Sequence, residues 1–124
     1  MLSCNGITLN YAVILYDKTK SKIKIVQDIA AELPEAPVVS YFLCDSWYTS
    51  VDLMKSFLKK GFYTIGALKT NRILYPMGIR QKASELALRI RKSDPNVSLV
   101  TVDKRKFYVY RYEGNLNKIS NAVV

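Results

Sequence analysis

The sequence predicts an α/β fold, and three observations carry the prediction. Between residues 21 and 68 the apolar spacing alternates as helix, strand, helix, strand, which implies a parallel strand pair joined by a crossover helix. From Val97 two strand-like runs flank a short polar turn, as in an antiparallel hairpin. At 124 residues, 49% hydrophobic and 23% charged, the chain has the length of one ordinary domain and enough apolar surface for a core.

Taken in order, Ile7, Leu9, Tyr11, Val13 and Leu15 alternate and then run on to Tyr16, which predicts a strand over Ile7 to Tyr16 ending at Asp17. Ile25, Val26, Ile29, Ala30 and Leu33 recur at helical spacing, and Pro34 and Pro37 stop that helix. Val38 to Cys44 is a nearly unbroken apolar run, expected to be a strand buried on both faces. Thr49, three residues before Asp52, has the form of a helix N-cap, Leu53, Met54, Phe57 and Leu58 give the helix its apolar face, and Gly61 suits its C-terminal end. Phe62 to Leu68 is the next strand. Tyr75 to Gly78 reads as a turn, and Ile79, Ala83, Leu86, Ala87 and Ile90 mark a further helix that Asp94-Pro95-Asn96 ends. The hairpin strands are Val97 to Val102 and Phe107 to Tyr112, turning over Asp103 to Lys106. A last strand begins near Leu116, after a turn at Glu113-Gly114-Asn115, and the final residues Asn121-Ala122-Val123-Val124 read as mid-strand, as in a piece of a longer protein.

The net charge of +9, from 19 Lys and Arg against 10 Asp and Glu, favours a polyanionic partner, with DNA first. The basic residues are scattered rather than gathered on one amphipathic helix, no apolar run has membrane-spanning length, and no signal-peptide pattern opens the chain. A cytoplasmic protein without membrane contact is expected. Cys4 and Cys44 lack metal-binding spacing and read as reduced thiols. With no His, Ser-His and Cys-His catalysis is excluded, so any chemistry falls to carboxylates.

Asp45 is the leading carboxylate, because it ends a predicted strand at the edge where open α/β sheets bind ligands. The alternative is an Asx turn capping the next helix. Asp17 and Glu113 read as turn residues, and Glu85 as half of a helical pair with Arg89. Trp47 and Tyr48 read as packing the helix onto the sheet, with stacking on a base as the alternative. Lys69, Asn71 and Arg72 follow the strand paired with that of Asp45, Arg80 precedes the next helix, and Lys104, Arg105 and Lys106 form a basic turn; these are the candidate nucleic-acid contacts. Tyr108, Tyr110 and Tyr112 alternate, as either a stacking platform or a core-covering face.

The stretch Cys44-Asp45-Ser46-Trp47-Tyr48-Thr49-Ser50, then Leu53-Met54, Gly61-Phe62-Tyr63 and Gly66-Ala67-Leu68-Lys69-Thr70-Asn71-Arg72, resembles the middle of the catalytic domain of DDE-superfamily insertion-sequence transposases, in the branch with a β-rich insertion. Tyr110-Arg111-Tyr112-Glu113-Gly114 fits as well. The resemblance implies an RNase H-like mixed sheet with flanking helices, followed by an antiparallel β segment. Residues 1–72 would be part of the catalytic core and 73–124 a helix plus hairpin opening the insertion. It further implies DNA strand cleavage and transfer at two Mg²⁺ ions, or Mn²⁺ in their place, held by Asp, Asp and Glu. Asp45 matches the second Asp, as catalytic residue and metal ligand. The first Asp and the Glu have no counterpart in these 124 residues, so the chain alone is expected to be inactive and the ions are expected in the complete site. The alternatives are a stand-alone basic nucleic-acid-binding module and an inactive remnant.

Overall fold

The computed structural model describes residues 1–124, Asn121 by its backbone alone. The chain is mixed α/β, with three α-helices and several small sheets, and divides into two compact units, Met1–Gly66 and Ala67–Val124. Among the described residues no helix is long and apolar enough to cross a membrane.

The first unit opens with a hairpin of β1 (Leu2–Cys4) and β2 (Ile7–Leu9). Asn5 and Gly6 close it with φ of 49° and 80°, the paired left-handed conformations of a two-residue type I′ turn. The strand expected over Ile7 to Tyr16 therefore ends at Leu9. Its ladder runs only as far as the three residues of β1 extend, and among the described residues Tyr11 to Tyr16 pair with no strand; Val13 and Leu15 are 89% and 92% exposed.

Helix α1 (Lys22–Glu32) starts where the Ser21 hydroxyl accepts the Lys24 N–H at 3.1 Å, and it stops at Leu33, before Pro34. Strand β3 (Ser40–Cys44), helix α2 (Val51–Leu58) and strand β4 (Phe62–Gly66) then form the expected crossover unit, with β3 and β4 parallel from Ser40 opposite Phe62 to Cys44 opposite Gly66. The cap of α2 is Ser50, one residue beyond the expected Thr49: the Ser50 side chain accepts the Leu53 N–H at 3.3 Å, while the buried Thr49 hydroxyl donates to the Ser46 carbonyl at 3.0 Å. Gly61 turns the chain into β4 at φ 81°.

Ala30, Leu33, Leu53 and Phe57 form the core of this unit, with Phe42 and Phe62 of the sheet packed on it. The rings of Phe42 and Phe57 stack at 3.7 Å between centroids, and Phe62 meets Phe57 edge-on. Only one face of the sheet is covered in this way. Tyr41, Leu43, Tyr63 and Ile65 point to the other face and are exposed, so the strand expected to be buried on both faces is buried on one. Both helices of this unit pack against the same face, which explains the half that the apolar run did not predict.

The second unit holds β5 (Ile73–Leu74), a 3₁₀ turn (Pro76–Gly78), β6 (Gln81–Lys82), α3 (Ala83–Arg89), β7 (Val97–Val102), β8 (Arg105–Tyr110), β9 (Glu113–Leu116) and β10 (Ile119–Val123). Four of these strands make an antiparallel sheet in the order β10-β9-β5-β6, and β7-β8 is a separate hairpin. Ile79 lies ahead of β6 and outside the helix, because Gln81 and Lys82 pair with β5 first. The hairpin turn is only Asp103-Lys104, and Glu113 lies in β9 instead of a turn, bonded to Arg111. Glu85 accepts the Lys82 N–H at 3.2 Å and stands 3.8 Å from the Lys82 ammonium; that one-turn approach replaces the expected pair with Arg89.

Tyr112 ties this unit together. It is buried with Leu74 and Leu116, its backbone exchanges hydrogen bonds with Val124 at 2.8 and 2.9 Å, and its hydroxyl accepts the Tyr75 N–H at 3.0 Å while donating to the Asn115 carbonyl at 2.8 Å. Gly114 leaves room for that hydroxyl, since a Cβ there would lie 2.8 Å from it. Removing the hydroxyl strands a partly buried amide and a carbonyl. Tyr112→Phe is expected to lower stability by about 1–3 kcal/mol, seen as a lower urea midpoint at unchanged m.

Candidate functional site

Asp45 follows β3 directly, at the carboxyl end of the parallel pair, and is exposed. Its Oδ1 accepts the Trp47 N–H at 2.9 Å and its carbonyl accepts the Tyr48 N–H at 3.2 Å. This is an Asx turn, and it delivers the chain to Ser50, the cap of α2. The short side chain of Asp is what allows a carboxylate to bond the backbone two residues on; Glu at this position would place its oxygens one bond too far. Tyr48 packs on the core as expected, whereas Trp47 is 76% exposed.

Beneath the turn lie Gly66, whose importance the sequence did not reveal, and Thr49, expected as a helix cap. A Cβ on Gly66 would stand 2.6 Å from Thr49 Cγ2 and 2.9 Å from Cys44 Sγ, so only glycine permits the end of β4 to approach the turn so closely. Thr49 is buried there with its hydroxyl bonded to Ser46. A glycine within the predicted strand Phe62 to Leu68 was the available signal. Cys44, on the covered face of β3, has its thiol pushed above its usual range by burial first and by the charge of Asp45 second.

Chemically, a single carboxylate does not fit a two-ion site. A hard divalent cation needs several oxygen ligands, and among the described residues no three of His, Cys, Asp and Glu are grouped to hold one. Asp17 is a turn residue as expected: Thr19 donates to its Oδ1 through N–H and hydroxyl at 2.9 and 2.7 Å, which holds its carboxyl below the usual range. Glu85 and Glu113 are engaged as described above and lie in the second unit.

The candidate basic residues also lie in the second unit. Lys69, Asn71 and Arg72 belong to a tight turn closed by Arg72 N–H on the Lys69 carbonyl at 3.0 Å. The same turn satisfies the start of α3, since Ala83 and Ser84 N–H donate to the Arg72 and Thr70 carbonyls at 2.8 and 3.0 Å. Arg80 is exposed just ahead of β6, and Lys104, Arg105 and Lys106 are exposed at the tip of β7-β8. Arg105 and Lys106, adjacent in β8, point to opposite faces of the hairpin. The tyrosines divide: Tyr112 is core, Tyr110 is half-buried against it, and Tyr108 is exposed with the Lys92 ammonium 4.6 Å from its ring centre.

Charge is divided as unevenly as the fold. Residues 67–124 hold twelve basic side chains against four acidic, a balance of +8, while residues 1–66 hold seven against six, a balance of +1. Every arginine is in the second unit.

Comparison with family models, curated proteins and solved structures yields no match.

Two outcomes test this geometry. Gly66→Ala is expected to cost about 1–3 kcal/mol, because Thr49 and Cys44 must move aside, measured by urea denaturation beside the parent chain. Asp45→Asn removes the second of the two effects on Cys44, so iodoacetamide should alkylate that thiol faster than in the parent at pH 8.5 (a condition near the free thiol value of about 8.5), while exposed Cys4 keeps its rate.

Proposed function

We propose that the chain is the central part of a DDE-type transposase catalytic domain, with an RNase H-like core, and that Asp45 is one of the three acids such a site requires. The observation that carries this is the exposed Asp45 carboxylate at the carboxyl edge of the parallel β3-α2-β4 unit. Ligands of open α/β sheets bind at that edge, because the loops leaving it carry no packing duty. The remaining two acids are assigned to residues outside these 124, and the chain by itself is then expected not to cut DNA. Its DNA affinity would rest on the second unit, whose balance of +8 and six arginines suit phosphate contacts.

A second hypothesis is a stand-alone nucleic-acid-binding module, in which the charge and not Asp45 is the functional feature. It is favoured by the isolated hairpin with its exposed Lys104-Arg105-Lys106 tip.

Both hypotheses require DNA affinity that falls with salt, with a log–log slope of about −0.9 per phosphate contacted. Asp45→Ala is expected to leave that affinity unchanged or to raise it, because it removes only a negative charge. No Mg²⁺-dependent nicking of supercoiled plasmid is expected from the purified chain. Nicking that vanishes in Asp45→Ala would show a complete site in these residues and sink the fragment hypothesis. Flanking coding sequence with an upstream strand ending in Asp and a downstream helix bearing Glu would decide for the transposase; absence of both would decide for the module. Failure of the chain to retain duplex DNA at low salt would leave an inactive remnant.

A further inference from the structure

The β7-β8 hairpin is a two-stranded sheet of its own, and every residue from Ser98 to Val109 is exposed. Its base is nevertheless fixed. Val97 N–H donates to the Asp94 carbonyl at 2.9 Å, Arg111 N–H to the Asn96 carbonyl at 3.0 Å, and the next residue is the buried Tyr112. The ladder is unbroken from Val97 opposite Tyr110 to Val102 opposite Arg105, so six residues per strand make a ribbon of roughly 20 Å.

The two faces differ. One carries Leu99, Thr101, Lys106 and Tyr108, with the Lys92 ammonium lying over the Tyr108 ring; the other carries Val100, Val102, Phe107 and Val109, with Arg105 at its end. Between Arg91 and Arg111 stand six basic residues and two acidic ones, and Asp94 already accepts the Asn96 N–H at 2.9 Å.

We propose that this hairpin is a DNA-reading ribbon that lies in the major groove of duplex DNA with its Lys106 and Tyr108 face towards the bases. Lys104 and Arg105 contact flanking phosphates. The proposal rests on the DNA affinity put forward above. Charge selects the occupant: a polyanion complements the ribbon, whereas a second copy would bring two basic tips together. Shape selects the duplex, because a major groove of about 12 Å admits a two-stranded ribbon. The Lys92 ammonium covers one side of the Tyr108 ring, so the ring is not an open platform for single-strand stacking.

The test uses the whole chain and a fluorescein-labelled duplex longer than two helical turns, followed by anisotropy from about 50 to 200 mM NaCl. Arg105→Gln/Lys106→Gln, which leaves the Asp103-Lys104 turn intact, is expected to weaken binding about ten-fold and to reduce the salt slope by about one to two. Tyr108→Ala should weaken binding several-fold at unchanged slope, and Phe107→Thr on the opposite face should leave it unchanged. Methyl green, a major-groove ligand, should compete. Circular dichroism and urea midpoints confirm that each variant is folded. If the parent binds duplex in a salt-dependent way while folded double and Tyr108 variants bind equally well, the ribbon proposal is overturned and the DNA affinity stands. If the parent binds no duplex, both fall. Competition by the minor-groove ligand netropsin alone, tighter binding to single strands, or a sedimentation change in the variants without any change in affinity overturns it too.

Discussion

The parallel register that sets Cys44 opposite Gly66 is the constraint on which the first unit depends. A parallel pair cannot be closed by a tight turn, so α2 must cross over between its strands. That crossover lays Leu53 and Phe57 on the sheet, where Phe42 and Phe62 meet them from adjacent strands. The same register brings the end of β4 against the turn after β3. Had Gly66 been any other residue, Thr49 and Cys44 would have been pushed aside and the Asp45 turn with them. Position of the carboxylate, stacking of the core and identity of one glycine are thus consequences of a single pairing.

Crossover, hairpin and helix positions were legible because each rests on local periodicity and on Pro or Gly punctuation. Pro34 stops α1, Ser50 starts α2 within one residue of the expected cap, and Asp94-Pro95-Asn96 separates α3 from β7. Tyr11 to Tyr16 failed because alternation describes a strand's preference and cannot supply its ladder. Asn5-Gly6, the strongest hairpin signal in the chain, had already committed Ile7–Leu9 to a three-residue partner. The exposed face of β3 escaped for a related reason, since an unbroken apolar run reports what both faces could bury and not what covers them. At the site, the Asx turn followed from Asp45 and its spacing, but the approach of Gly66 joins residues 17 or more apart in sequence and has no local signature.

The candidate residues are divided in the same manner as the charge. The near-neutral first unit carries the carboxylate, and the second carries all six arginines and six of the thirteen lysines. A site acting on a phosphodiester requires both signs, negative groups for the metal ions and positive ones for the backbone that must be held. The first unit also mixes the two signs, and some of them pair there, as where Asp28 accepts from Lys20 and Lys24 at 3.1 and 2.7 Å. Asp45 is in no ion pair of this kind among the described residues.

That freedom bears on whether an Asx turn argues against a role in catalysis. The turn engages Oδ1 through the Trp47 N–H, and Oδ2 takes no hydrogen bond among the described residues. A carboxylate oriented through one oxygen would lose little further side-chain freedom on meeting a cation with the other, so the turn does not by itself consume the group. Capping and coordination are therefore compatible at Asp45. What decides between them is the company of other acids, because one carboxylate cannot offset the dehydration of a divalent ion however well it is held.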